Sequence, residues 1–175
     1  NGHTISGLYF KNTTNSNYPA GGNYVGLIGC ADGATIKNVG VIDSYIKGYQ
    51  YVGGICGIYG TTTNCYNTGT VSGSSYVGSI CGYYGTQTNC YYLAGCAKDG
   101  NNTMQNGVGN EKKGKTTADV AGKTISATTE EFASGKITYR LNGSTSEGNR
   151  TWYQTLGDGN DGDAYQVKEK NHKVV

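Results

Sequence analysis

Charge is sparse in this chain, and proline, methionine, tryptophan and phenylalanine are rarer still. Its 175 residues hold one Pro, one Met, one Trp and two Phe, and charged residues make up 15%, against a usual ~25%. From Tyr49 to Ala97 there is no Asp, Glu, Lys, Arg or His. General acid–base catalysis needs groups that titrate near the working pH, and this stretch has only Tyr and Cys to offer. Residues 1–48 add only Lys11, Asp32, Lys37, Asp43, Lys47 and His3. The two aspartates are turn acids rather than a catalytic pair, so no enzymatic activity is expected and no catalytic residue is named. A net charge of +2, with no basic cluster beyond Lys112, Lys113 and Lys115, excludes the electrostatic footprint of a nucleic-acid or anionic-membrane binder. No apolar run approaches the ~20 residues of a membrane span, and no signal peptide is recognisable. The chain begins in mid-repeat and is read as a fragment of a longer precursor.

What is abundant is glycine and tyrosine, 30 and 16 residues respectively. They fall in a repeat. Tyr51–Tyr66 (YVGGICGIYGTTTNCY) and Tyr76–Tyr91 (YVGSICGYYGTQTNCY) match at 13 of 16 positions with a period of 25 residues. A weaker copy, Tyr24–Val39, fits if one Gly is dropped after Gly26 and the turn after Gly33 is one residue longer. Asn1–Phe10 reads as one further, divergent coil. Units this small cannot bury their own apolar face and must stack on their neighbours.

Tyr, Val, Ile, Thr and Cys broken every few residues by Gly favour short strands over helix. Copies related by translation place equivalent strands parallel, ~4.7–4.9 Å apart, with a right-handed connection. The expected fold is all-β, a right-handed parallel β-helix of about four coils with a small mixed C-terminal cap. The expected ladders are Tyr51/Tyr76, Val52/Val77, Ile55/Ile80, Cys56/Cys81, Asn64/Asn89 and Cys65/Cys90.

The YVGG-I-C-G core followed by N-C-Y-N-T-G resembles the GLUG repeat of bacterial cell-surface proteins, and NGHTISGLYF resembles the lead-in coil of such β-helices. The resemblance covers residues 1–95. It implies a secreted or wall-attached bacterial protein with an adhesive or structural role. A GLUG unit also occurs beside an IgA-cleaving metallopeptidase domain, but no zinc-binding H-E-x-x-H is present here.

Six cysteines stand at 30, 56, 65, 81, 90 and 96. Cys56/Cys81 and Cys65/Cys90 recur in register, where parallel Cβ vectors keep the Cβ atoms farther apart than the ~3.5–4.5 Å of a disulfide. Buried thiols acting as small apolar residues are expected, with Cys56–Cys65 and Cys81–Cys90 pairing within a coil as the alternative. No metal site and no cofactor is expected. The Asn and Thr pairs, Thr61–Thr63 and Thr86–Thr88 included, read as turn residues. Tyr59, Tyr66, Tyr83, Tyr84, Tyr91 and Tyr92 read as stripes on the outer surface, either ladders that stabilise cross-strand pairs or platforms that bind sugar rings or a protein.

Beyond Ala97 the composition changes. Residues 98–125 read as a loop or linker between the repeats (1–97) and a C-terminal cap (126–175). In the cap, Thr128/Thr129 before Glu130-Glu131 make a helix start that Gly135 ends. Phe132, Ile137, Leu141 and Trp152 are its apolar residues, placed to cover the open end of the last coil. The order EEFASGKITYRLN, TWYQTLG and Tyr-x-Val resembles the segment that trails such solenoids, with Gln166 where the family carries Pro. Gly157–Asp161 resembles one unit of a calcium repeat and reads as a solvated turn.

Two functions stay open. One is a non-catalytic module of a secreted or cell-surface adhesin-like protein, a rigid stalk or a binding face for host glycan or extracellular protein. The other is an accessory β-helix region of a larger secreted peptidase or polysaccharide-degrading enzyme.

Overall fold

The computed structural model describes residues 2–17, 21–109, 124–144, 151–152 and 154. Short strands dominate it. The chain opens with β1 (His3–Ser6) and β2 (Tyr9–Lys11), followed by β3 (Ile28–Cys30), β4 (Thr35–Lys37), β5 (Val39–Ile42) and β6 (Tyr45–Lys47). The first full repeat gives β7 (Gln50–Gly53), β8 (Cys56–Ile58), β9 (Thr61–Thr63), β10 (Tyr66–Asn67) and β11 (Thr70–Ser72). The second gives β12 (Ser75–Gly78), β13 (Cys81–Tyr83), β14 (Thr86–Thr88), β15 (Cys90–Leu93) and β16 (Ala97–Lys98). Last come β17 (Thr124–Ala127) and two helices, α1 (Thr129–Ala133) and α2 (Lys136–Leu141).

These strands distribute over five parallel sheets in a fixed rotation. Sheet A holds β1, β5, β10, β15 and β17; sheet B holds β2, β6, β11 and β16; sheet C holds β7 and β12; sheet D holds β3, β8 and β13; sheet E holds β4, β9 and β14. An isolated bridge from Val25 to Val52 adds a rung to sheet C. The 25-residue period is visible as register: Val52 pairs with Val77, Cys56 with Cys81, Thr61 with Thr86 and Tyr66 with Tyr91. The architecture is therefore all-β with parallel strands, as a stacked repeat requires.

The early copy pairs as the sequence alignment predicts, with one adjustment. Ile28 pairs with Cys56 and Thr35 with Thr61, so the turn between β3 and β4 is two residues longer than its counterpart, one more than expected. The divergent opening segment also joins the stack, with His3–Ser6 on Val39–Ile42 and Tyr9–Lys11 on Tyr45–Lys47.

Each strand turns alternate residues in and out, and the inward ones form the core. Val25, Val52 and Val77 stack in one column, Ile46, Val71 and Ala97 in another, all buried. Thr61–Thr63 and Thr86–Thr88, expected at turns, instead form β9 and β14. Their central residues Thr62 and Gln87 point inward beneath Ile36 and are buried. One polar core residue is fully satisfied: the Asn67 amide donates to the carbonyls of Gly69 (3.1 Å) and Ser79 (2.9 Å), and its oxygen accepts from Gly69 N–H (3.0 Å). That pairing offsets the desolvation cost of a buried amide.

The C-terminal segment forms a side wall. Outer-face residues of sheet A run Thr4, Gly40, Tyr66, Tyr91, Ile125 across its five strands. A second apolar cluster covers them: Tyr66, Tyr91, Phe132, Ile137, Leu141 and the fully buried Trp152. Tyr66 meets Trp152 edge-on at 5.4 Å and Phe132 at 6.0 Å. Gly40 is needed here, because a Cβ on it would lie 2.1 Å from the Tyr66 ring. Helix α1 starts in a capping box, Thr128 with Glu131, and Lys136 pairs with Glu131; Gly135 separates α1 from α2. Asn142 holds Thr151 and Trp152, accepting from the N–H of each (both 3.0 Å) and donating to Trp152 O (2.7 Å). The apolar residues expected to close an open end thus cover the flank of sheet A, while β17 extends that sheet by one strand.

The stretch expected as a linker also carries pairing. The N–H groups of Ser79, Ile80 and Cys81 donate to Asn106 and Gly107 carbonyls, Val108 bridges Cys81, and Thr124–Ala127 pairs with Cys90–Leu93. The calcium-like Gly157–Asp161 and the closing Tyr165-Gln166-Val167 lie outside the described residues.

Candidate functional site: a tyrosine face

Perfect repetition stacks like on like. Tyr24, Tyr51 and Tyr76 lie over one another with ring centroids 5.0 and 4.9 Å apart and planes within 8°. Tyr59 and Tyr84 form a second column, 5.8 Å apart and inclined by 6°. All five hold a left-handed backbone, with φ of 58°, 55° and 53° at Tyr24, Tyr51 and Tyr76 and of 62° and 41° at Tyr59 and Tyr84. Non-glycine residues meet a steric penalty there, and the stack offsets it: aromatic pairs contribute ~0.5–1.5 kcal/mol each beyond the area they bury.

Tyr83 joins the columns. It stands where the preceding repeat has Ile58, and its ring lies 5.3 Å from Tyr51, 4.8 Å from Tyr76 and 4.1 Å from Tyr84, tilted by 52–60°. The two columns can meet because sheets C and D approach closely; a Cβ on Gly82 would lie 2.5 Å from the Tyr51 backbone. Six tyrosines therefore form one continuous aromatic surface. Tyr59 and Tyr84 are its exposed part, at 47% and 51%, and the others are half-buried. The Tyr51 phenol is pushed above its ordinary range by burial and by the neighbouring phenols Tyr76, Tyr24 and Tyr59.

Of the six tyrosines expected on the outside, the structure brings Tyr59, Tyr83 and Tyr84 together and removes the other three. Tyr66 and Tyr91, at 0% and 3% exposure, lie on the outer face of sheet A but beneath the helices, and Tyr92, at 2%, points into the core. Burial pushes the Tyr66 hydroxyl up to about 12, opposed by its contact with Thr4 Oγ1 at 3.2 Å. Tyr91 is also raised by burial and donates to Asn89 Oδ1 at 2.7 Å. Conversely, Tyr24, Tyr51 and Tyr76 belong to the face, although the sequence pointed only to a Tyr51/Tyr76 ladder; the recurring eight-residue step from Tyr51 to Tyr59 and Tyr76 to Tyr84 is the signal that joins the columns.

The thiols lie elsewhere. All six cysteines are free, Cys30 exposed and the other five buried. Contact with the Cys90 thiol and burial hold the Cys65 thiol protonated, and the same two causes act from Cys56 on Cys81. Among the described residues no three metal-ligating side chains come together, and no helix is long and apolar enough to cross a membrane. The tyrosine face can thus offer ring edges, phenolic hydroxyls and apolar surface.

No protein-family model, curated protein or solved structure matches this chain.

Proposed function

We propose that this chain is a right-handed parallel β-helix of the GLUG-like kind, serving as a non-catalytic module of a secreted or cell-surface, adhesin-like bacterial protein whose tyrosine face binds an extracellular protein. The observation that carries the reading is the gathering of six tyrosines on one face, five of them from a stretch, Tyr49 to Ala97, without a single charged residue. Rigid aromatic side chains on a parallel sheet lose little freedom on binding, which favours association. A protein partner is favoured over a sugar because the stacked rings cover one another's faces. Tyr51 has Tyr24 on one side and Tyr76 on the other, so edges and hydroxyls, rather than flat faces, meet solvent.

The test is retention of the chain on immobilised host-matrix proteins and mucin, comparing wild type with Tyr59→Ala/Tyr84→Ala. Retention lost in the double variant, with its melting temperature little changed, supports recognition. Absence of retention on every surface, with a large stability loss in the double variant, leaves the face as a ladder and the module as a spacer.

A further inference from the structure

Sheet B gathers lysines that the sequence scatters. Lys11 of β2 pairs with Lys47 of β6, Lys47 with Ser72 of β11, and Ser72 with Lys98 of β16. The four stand in one column across the sheet, about 14 Å long at ~4.8 Å per rung. Their strand neighbours Ile46, Val71 and Ala97 are buried in the core, and alternation turns the column to the outer face. Tyr9, Tyr45 and Thr70 form a second column on that face, two residues earlier in each strand, with Tyr9 stacked on Tyr45 at 5.4 Å.

Nothing neutralises these lysines. No acid occurs in β2, β6, β11 or β16, and among the described residues the ammonium groups of Lys11, Lys47 and Lys98 have no partner. The nearest acids in sequence are placed otherwise. Asp99 Oδ1 accepts from the N–H groups of Asn101 and Thr103, both at 2.9 Å, and Asp43 stands at the corner before β6. Like charges directly opposite in a ladder are destabilising, and Ser72 shows that the next coil fills the same position with a hydroxyl. Lysine protects the open edges of a sheet, which accounts for Lys11 and Lys98 on the two outermost strands. It does not account for Lys47 on an interior strand.

We infer that this face of sheet B binds a linear acidic polysaccharide, its sulfate or carboxylate groups lying along the lysine column and its sugar hydroxyls along Tyr9, Tyr45, Thr70 and Ser72. Every polar side chain of the two columns can donate a hydrogen bond, and bonds from an ammonium to an anion are the strong, charge-assisted kind. A single-stranded nucleic acid needs open aromatic faces for its bases, whereas here each ring covers one face of the other. An anionic membrane surface is held by clusters of ~4–8 basic residues, more than the column supplies. The surface shares no residue with the tyrosine face and does not depend on it.

The experiment is calorimetric titration of the full chain with dextran sulfate and with polygalacturonate oligomers, one carrying sulfate and the other carboxylate. Neutral dextran, a single-stranded oligodeoxynucleotide and phosphatidylserine vesicles are the comparison ligands. Variants are Lys47→Gln, Lys47→Arg and the triple Lys11→Gln/Lys47→Gln/Lys98→Gln, with Lys37→Gln on β4 and Tyr59→Ala/Tyr84→Ala as controls. The expected result is binding of at least one acidic polysaccharide that weakens as salt rises. Lys47→Gln should weaken it about fivefold, and the triple variant should abolish it. Lys47→Arg and both controls should leave the affinity unchanged. Lys47→Gln should not lower the melting temperature, because it relieves a like-charge pair. The inference is overturned by no binding of either acidic polysaccharide, by equal binding of neutral dextran, by binding that survives the triple variant, or by an equal loss in Lys37→Gln. Tighter, column-dependent binding of the oligonucleotide or the vesicles overturns it too, by assigning the lysines to another polyanion.

Discussion

Replacing Tyr51 separates the two opposing terms that hold the tyrosine face. The residue stacks on Tyr24 and Tyr76, touches Tyr83, and sits at φ 55°. Tyr51→Ala removes two stacked pairs, about 1–3 kcal/mol together, plus part of the ring burial, and leaves the left-handed strain in place. A loss of about 2–4 kcal/mol follows. Tyr51→Gly loses the same contacts but is free of the left-handed penalty, about 1–2 kcal/mol for an L-residue. The glycine variant should therefore be the more stable of the two by about 1 kcal/mol. In an ordinary strand the order reverses, with glycine worse than alanine by ~0.5–1 kcal/mol. Tyr83, absent from the left-handed set, supplies that control: Tyr83→Ala should exceed Tyr83→Gly. Urea unfolding reads both comparisons as shifts in midpoint at constant slope. Alanine equal to or better than glycine at position 51 would refute the claim that stacking offsets backbone strain.

Three further outcomes follow from burial. Trp152→Ala should cost about 3–5 kcal/mol, since the indole is fully buried against Tyr66; a thermal midpoint within a degree or two of wild type would contradict the side-wall packing. In native protein an aromatic disulfide reagent should label Cys30 quickly and the five buried thiols slowly, with all six reacting after denaturation; fewer than six would reveal a disulfide. The Tyr66 hydroxyl ionises near pH 10 when unfolded and near 12 when folded, so its contribution is complete below pH 10 and is lost as pH rises through that window, by up to roughly 3 kcal/mol. Tyr51 and Tyr91 shift in the same direction; Tyr66→Phe should flatten the alkaline fall measured by denaturant titration.

The 25-residue period by itself determined which residues stand over which. Translation of a repeat onto itself forces parallel pairing, so Val52 over Val77, Cys56 over Cys81 and the amide of Asn89 on Asn64, donating at 2.8 Å, were all readable from letters alone. So was the helix start at Thr128, because a cap is a local motif. Which side of a strand meets solvent was a different matter. Tyr66 and Tyr91 belong to an outer face, and only a segment more than forty residues downstream, folded back across sheet A with Trp152 at its centre, covers them. Tyr59 and Tyr84 look the same in sequence and stay exposed because no described segment lies over them. Alternation along a strand separates two faces but does not say what covers either one. That depends on contacts between residues far apart in the chain, which a local pattern does not encode.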